Sequence, residues 1–391
     1  MIIEHKDNLA AFRAAVREWV RETAPPEKAH LWRNAKVEDL VEIQKWWMAE
    51  RNKVGLATPH WPSEYGGADL GVEHQIIIAD EFAQANAPGS ESFVIGLNHI
   101  PGTLIPFGSE RQKTKYLPTV AKGTIWCQGF SEPGAGSDLA NLSTRAVRDG
   151  DHYVINGQKI WSSYSMFASY AILLARTDFD GATKKQRGLS YFVLDMAAPG
   201  VEVRPIRKST GASMFAEMFL TDVRIPVEDR VGEENQGWTV AQATLSSERG
   251  VLAFEFLERE HAFVREFYAN ELANGAAWLA DDELRRDFMR LFGELQALRR
   301  QVRRLLKEPR HAGQWAMTPS LVKLARSELL QRFGALRLGL EGYQSQIVLS
   351  NGPRRAAMYD YLDSYGSTIA GGSNEVMRNL IAERGLNMPR I

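Results

Sequence analysis

A chain of 391 residues with 44% hydrophobic and 24% charged residues and a formal net charge of −1 has the balance of a globular protein built from two or three packed units. That balance excludes a disordered chain, and it lacks the concentrated basic surface that nucleic-acid binding demands. No run approaches the ~18 consecutive apolar residues of a membrane span.

The start, "MIIEHKDNLAAFRAAVREWV", carries acidic residues at helical spacing, unlike a secretory signal. Leu9, Phe12, Val16 and Trp19 recur there as one helix face after a cap at Asp7 or Asn8. "ATPHWPSEYGGADLG" is a loop dense in proline and glycine, and "VEHQIIIADEFAQAN" is helical again. "GSERQKTKYLPTVAKG" is expected as a short amphipathic helix that ends at its proline. Residues 1–122 thus form a helical domain.

The character changes over 123–235, which is expected as a middle β domain. Asp149-Gly150 and Asn156-Gly157 fall between short β-type runs and read as two hairpin turns, since both dipeptides tolerate positive φ. "ASYAILLART", "LSYFVLDM", "GVEVRPI" and "AEMFLTDVRI" continue the run of strands. Residues 236–391 turn helical again from about Trp238, with "LRRDFMRLFGELQALRRQVRRLL" the clearest amphipathic stretch. Helices, then strands, then helices argue an α+β chain, because a doubly wound sheet would alternate the two throughout.

One stretch resists that pattern. "WCQGFSEPGAGS" places glycines and a proline where a strand would continue, which marks a bulge, a turn or a close approach by a ligand. It is not a dinucleotide fingerprint: Gly134 and Gly136 are followed by Leu139 in the third place, and hairpins follow instead of a helix. No G-x-x-x-x-G-K-[ST] loop occurs, and no two of the eight histidines stand at H-x-x-x-H spacing for a metal. A lone "PGAG" is most often a tight turn. Here hydroxyls at Ser131 and Ser137 bracket it, and "IWSS" supplies an indole near the hydroxyl of Ser163. A flat aromatic cofactor wants such a set, with an indole to cover a ring face and hydroxyls and amides for its edge. The single cysteine, Cys127, allows no internal disulfide and points to a reduced, cytoplasmic compartment.

With these motifs the sequence resembles the acyl-CoA dehydrogenase family, FAD enzymes that introduce a 2,3-double bond into acyl-CoA thioesters. The resemblance rests on "PSEYGGADLG", "GSERQKTKYLP", "SEPGAGSDLANLSTRA", "INGQKIWSS" and "IAGGSNEVMRNLIAERGL", which together span nearly the whole chain. It implies an N-terminal helical domain, a middle β-barrel-like domain and a C-terminal four-helix bundle. It also implies a tetramer that passes electrons to an electron-transferring flavoprotein. Carried over by residue, the backbone of Gln128 and Phe130 edges the isoalloxazine, and Ser131 stands where the family has threonine. Ser137 faces both cofactor and acyl-CoA, Trp161 lies against the flavin, and Ser163 sits near the hydride-accepting nitrogen. Ser373 and Glu375 match positions that touch FAD.

The chain departs from the family pattern twice. Where many members carry an "EGT" whose glutamate is the catalytic base, this sequence has Gly371-Gly372-Ser373. The Gly371 N–H survives as a donor to the thioester carbonyl. Isovaleryl- and long-chain-type members place the base on an earlier helix, and Glu248 in "TLSSERGVLAFEF" falls there, followed by Arg249 at the CoA arm. Read without the resemblance, Glu248 is a solvated helix glutamate. The "R-x-x-F-G" segment by which members reach a neighbouring subunit's FAD is also missing, since "RLFG" has the wrong spacing. Such departures occur in branches that act on steroid side chains or other bulky acyl groups, some built from two homologous chains. Homotetramer and heterotetramer therefore both stand, as do a catalytic chain, a non-catalytic partner subunit and a related flavin oxidase or monooxygenase.

Overall fold

The computed structural model describes residues 2–33, 35–179, 185–247, 251–307, 318–346 and 356–389. Its backbone contacts gather into two compact units: Met1–Lys36, Leu70–Pro88 and Arg249–Ile391 form one, and Val37–Asp69 with Gly89–Glu248 form the other. The N-terminal helices are α1 (Leu9–Thr23), α2 (His30–Arg33), α3 (Val37–Lys53), α4 (Val72–Gln84), α5 (Ile100–Phe107) and α6 (Glu110–Ala121). Eight strands follow, β1 (Trp126–Gly129), β2 (Arg145–Asp149), β3 (His152–Ser163), β4 (Tyr170–Arg176), β5 (Leu189–Asp195), β6 (Val201–Ile206), β7 (Phe215–Pro226) and β8 (Arg230–Val231). The chain then returns to helices with α7 (Gly237–Ser247), α8 (Val251–Ala273), α9 (Asp282–Lys307), α10 (Thr318–Glu341), α11 (Ala357–Ser367) and α12 (Asn374–Leu380). This is the expected α+β order, and the clearest amphipathic stretch is α9.

Local chemistry explains the helix ends. Asn8 Oδ1 accepts from the N–H groups of Ala10 and Ala11 at 3.1 Å each, which makes Asn8 the cap of α1. The buried stripe of α1 is Phe12, Val16 and Val20, while Leu9, expected inside, lies exposed in the first turn. Ser109 and Gln112 close a reciprocal capping box at the start of α6. That helix does not stop at its proline as the sequence suggested; it runs through Pro118 to Ala121. Pro118 sits in the last turn, where few backbone bonds remain to lose, and the fully buried Leu117 and Val120 hold that turn against the core.

The second unit holds a mixed sheet in the order β6-β7-β3-β2-β4-β5-β8, with β1 paired parallel to β4. β4 and β5 are buried on both faces, so their side chains alternate between two cores. Ile172, Leu174, Tyr191 and Val193 join the helices α3, α5, α6 and α7, and Ala171, Leu173, Phe192 and Leu194 meet Tyr153 and Ile155 from β3. Asp149-Gly150 does turn the β2–β3 hairpin, with Gly150 at φ 60°. Asn156-Gly157 does not turn the chain: it lies inside β3 at a register shift against β7. Asn156 exchanges two hydrogen bonds with Asp222 across that bulge, at 3.0 and 2.9 Å, so the dipeptide is used for a bulge and not a turn.

In the first unit α4, α8, α9 and α10 share a core of Ile76, Phe254, Leu257, Phe288, Leu295 and Leu329. Arg13 and Arg17 of α1 reach Glu81 of α4 at 2.6 and 2.8 Å, an ion-pair layer under that core. Among the described residues no helix is long and apolar enough to cross a membrane, and no cluster of three metal-ligating side chains forms.

Candidate active site

The glycine stretch leaves β1 and closes into a tight loop. Glu132 N–H donates to the Ala135 carbonyl and Ala135 N–H donates back, each at 3.0 Å, with Pro133 and Gly134 between them. A Cβ added at Gly134 or Gly136 would meet nothing within 4 Å, so the chain's own packing does not require glycine at either place. The bare backbone there is open to something outside the chain. Among the described residues no acceptor meets the N–H of Ser131, Gly134 or Gly136.

Strand β3 runs beneath this loop and holds it at several points. Ile160 N–H donates to the Ser131 carbonyl at 2.9 Å, and Lys159 Nζ donates to the Phe130 carbonyl at 3.1 Å. Lys159 Nζ also meets Glu132 Oε1 at 2.9 Å, an ion pair with both side chains out of water. The Glu132 carboxylate further accepts from Ser143 N–H and Oγ at 2.7 Å and from Thr144 N–H at 2.8 Å. Burial alone would raise the Glu132 carboxyl, but Lys159 and these donors hold it down to about 2. Burial pushes the Lys159 ammonium down to about 8 against the pull of Glu132, so both groups are charged at neutral pH.

Two residues beyond Lys159 a second register shift lifts Trp161 out of the ladder. Its φ is 61° and its indole is 56% exposed, with Phe215 edge-on at 6.1 Å. A bulky residue in the left-handed region is a true outlier, and such strain collects at functional sites. Ser162 beside it is buried, its hydroxyl without a partner among the described residues, and Ser163 is half-buried at the end of the strand. Phe130 packs its ring on Tyr191 at 5.7 Å, Gln128 is half-buried in β1, and Ser137 is exposed at the outer end of the loop. The structure therefore brings Phe130, Ser131, Trp161 and Ser163 onto one loop-and-strand framework. Cys127 is buried in β1 with its thiol pushed up by burial, so it is not a reactive group.

The C-terminal residues lie in the other unit. Ser373 caps α12, its Oγ accepting from Val376 N–H at 3.3 Å. Glu375 is exposed in the first turn, its carboxyl lowered by its own backbone amide and by Ser373. Asn374 is buried between them and accepts from Lys323 Nζ at 2.8 Å and Ser327 Oγ at 2.9 Å. Gly371 is exposed with φ 66°. Glu248 and Arg249 lie outside the described residues. A cavity of about 370 Å³ lined by Glu258, His261, Arg265 and Arg299 contains none of the expected site residues.

Three family models match consecutive parts of the chain: the acyl-CoA dehydrogenase N-terminal domain over residues 6–124, the middle domain over 127–223 and the C-terminal domain over 235–386. The chain belongs to the acyl-CoA dehydrogenase family. As an acyl-CoA dehydrogenase it is an oxidoreductase acting on CH–CH donors, in a family that is generally FAD-dependent. It is 35% identical over 385 residues to acyl-CoA dehydrogenase IpdE1 of Mycobacterium tuberculosis, covering 97% of each chain. Its fold matches a solved structure titled Tcur3481-Tcur3483 steroid ACAD, with a TM-score of 0.84, 29% identity and 98% of each chain covered. A chain of the ChsE4-ChsE5 complex from Mycobacterium tuberculosis matches with a TM-score of 0.78 and 29% identity, over 99% of this chain and 98% of that one.

The residues present in this acyl-CoA dehydrogenase fit a flavin. An exposed indole and N–H groups without an acceptor among the described residues, along an open glycine loop, are what a planar ring with polar edges would satisfy. Sequence reasoning missed Glu132 and Lys159. Strand alternation held the clue, because Tyr153 and Ile155 face inward and Lys159 falls on the same side of β3. A lysine there requires a buried partner.

Proposed function

We propose that this acyl-CoA dehydrogenase introduces a 2,3-double bond into the acyl chain of a bulky or steroid-side-chain acyl-CoA. The observation that carries the reading is Trp161, strained and exposed beside a glycine loop that β3 holds in place. Gln128, Phe130, Ser131, Ser137, Trp161 and Ser163 would hold FAD from the sheet, and Ser373 and Glu375 would touch it from the start of α12. When bound, FAD supplies the two-electron acceptor for the hydride that leaves the β-carbon.

The chain's own task is to move the α-proton. That proton is weakly acidic, so Glu248 takes it as general base while the Gly371 N–H donates to the thioester oxygen and stabilises the enolate-like charge. Arg249 would meet the CoA arm and Ser137 the acyl-CoA. A glycine at 371, where many members have a glutamate, removes a side chain from the path of the acyl group. The solved relative titled a steroid ACAD supports a bulky substrate. Electrons would pass to an electron-transferring flavoprotein, and the enzyme would work in the cytoplasm as a homotetramer or as a heterotetramer with a homologous chain. The relative solved as a complex of ChsE4 and ChsE5 favours the second arrangement. It also keeps open a second reading, a non-catalytic subunit that completes a homologous active chain.

Glu248→Gln keeps shape and hydrogen bonding but deletes the base. Assayed on straight, branched and steroid-side-chain acyl-CoAs with an artificial electron acceptor, the variant is expected to keep its flavin and lose turnover by roughly 10²–10⁴-fold. Turnover at the parent rate would remove Glu248 from the mechanism and favour the partner-subunit reading.

A further inference from the structure

Replacing a buried ion pair by well-packed apolar side chains is often neutral or stabilising, so stability is a weak reason for Glu132–Lys159. The pair stands instead at a point that sets backbone direction. Phe130 and Ser131 are joined by a trans peptide, in which the carbonyl of one residue and the N–H of the next point opposite ways. Lys159 Nζ holds the Phe130 carbonyl inward at 3.1 Å. The Ser131 N–H must therefore point outward, and no acceptor within the described chain meets it.

We propose that Lys159, locked by Glu132, is a positioning residue that aims the Ser131 N–H at an acceptor atom on the edge of the bound flavin ring. The proposal rests on the flavin reading of the loop. A lysine suits the task because it must cross from β3 to the loop and give hydrogen bonds to two acceptors, the Phe130 carbonyl and Glu132 Oε1. Glu132 keeps the ammonium in place because its carboxylate is itself fixed by Ser143 and Thr144 at the entry to β2. Trp161 follows on the same strand, so one lysine ties the edge donor to the element that carries the ring-face residue.

The test compares the parent, Lys159→Met, Lys159→Arg and Ser143→Ala, each purified with any partner chain the parent needs, stripped of flavin and titrated with FAD. In Lys159→Met the Glu132 carboxylate keeps its bonds from Ser143 and Thr144, so the loop retains anchors while the Phe130 carbonyl is released. The expected result is at least a tenfold weaker FAD affinity with a shifted flavin absorption band, both partly restored in Lys159→Arg. Ser143→Ala removes only the hydroxyl's bond, and the carboxylate stays fixed by the N–H groups of Ser143 and Thr144 and by Lys159, so this variant should lower thermal stability slightly while leaving the band in place. Parent affinity and a parent band in Lys159→Met would overturn the proposal. So would a Ser143→Ala protein whose band moves as far as that of Lys159→Met. The parent labelled with ¹⁵N-serine decides the matter even where a variant fails to fold: the Ser131 amide resonance must move on FAD addition, and an unmoved resonance refutes the donor. A parent that takes up no FAD, alone or with a homologous chain, overturns the flavin reading itself, whereas a parent that binds FAD beside an indifferent Lys159→Met overturns only the role of Lys159.

Discussion

Trp161 puts the tension between folding and function into one residue. A left-handed conformation costs an L-residue about 1–2 kcal/mol, and an indole left 56% exposed recovers little of that by burial. Glycine accepts the same φ without strain but brings an entropic penalty of roughly 0.5–1 kcal/mol, so Trp161→Gly should leave the thermal midpoint of the flavin-free protein nearly unchanged. Removing a fully buried tryptophan such as Trp126 should instead cost about 3–5 kcal/mol. FAD affinity should behave the other way and fall at least tenfold in Trp161→Gly. Calorimetry on the stripped protein and a flavin titration check both halves; a large loss of midpoint with unchanged affinity would make the indole a packing residue. Trp161 and Ser131 were legible in the sequence because they sit in short contiguous motifs. Glu132 and Lys159 were not read as a pair because 27 residues separate them and each motif is complete without the other. Glu248, which lies outside the described residues, is proposed through the family resemblance alone, since an isolated glutamate carries no signal of its own.

Strand β3 organises the site as an element, and its two irregularities are its working parts. The shift between Lys159 and Ser162 turns Trp161 out, and the shift between Ile155 and Gly157 fits the strand against the start of β2. Sequence reasoning took Asn156-Gly157 for a hairpin because that dipeptide suits positive φ in a turn. The glycine is needed for closeness instead: a Cβ at Gly157 would stand 2.7 Å from the Thr144 Cα and 2.4 Å from its Oγ1. A side chain can swing aside, but a Cα cannot. Gly157→Ala should therefore destabilise the protein by about 1–3 kcal/mol, and trimming Thr144 to alanine should not rescue it. Thr144 N–H is also a donor to Glu132, so the same variant should release flavin more readily at temperatures where it is still folded. Thermal unfolding followed in parallel by flavin fluorescence and circular dichroism would show this, and coincident midpoints equal to the parent's would refute it. Pro118 teaches a related lesson. Local rules ended α6 there, but buried neighbours in the last turn outweighed a lost backbone bond.

At the scale of the molecule, the order helix–strand–helix was readable from periodicity, but the grouping into units was not. α1, α2 and α4 belong with the helices from α8 onward, while α3, α5, α6 and α7 belong with the sheet, and only tertiary packing decides that division. Each unit carries its own buried charges and its own response to acid. In the sheet unit, Glu132 has a folded pKa of about 2 against an ordinary 4.5. Its stabilising effect is present above 4.5 and lost as the pH falls toward 2.

In the helical unit the sensitive group is His261, lowered from 6.5 to about 4 by burial and by the nearby Arg299 and Arg265. Its hydrogen bonds give the same sign. Arg299 donates to Gln296 Oε1 at 2.8 Å, which turns the Gln296 amide nitrogen toward His261 Nε2 at 2.6 Å. That ring nitrogen must accept, so the folded imidazole is neutral. The unfolded chain therefore takes up a proton first as the pH falls below 6.5, and the contribution of His261 drains away between 6.5 and about 4. Glu258 and Glu260 pull the other way, since burial raises both carboxyls in the folded state. A difference between two proteins isolates the histidine. His261→Gln can keep a hydrogen bond to Gln296 but cannot titrate. Its thermal midpoint relative to the parent should be constant above pH 7 and should climb by roughly 1–2 °C as the pH drops to 4.5, the size expected of about 1 kcal/mol in a chain of 391 residues. A gap that stays flat over that range would mean that the folded His261 binds its proton as readily as the unfolded one.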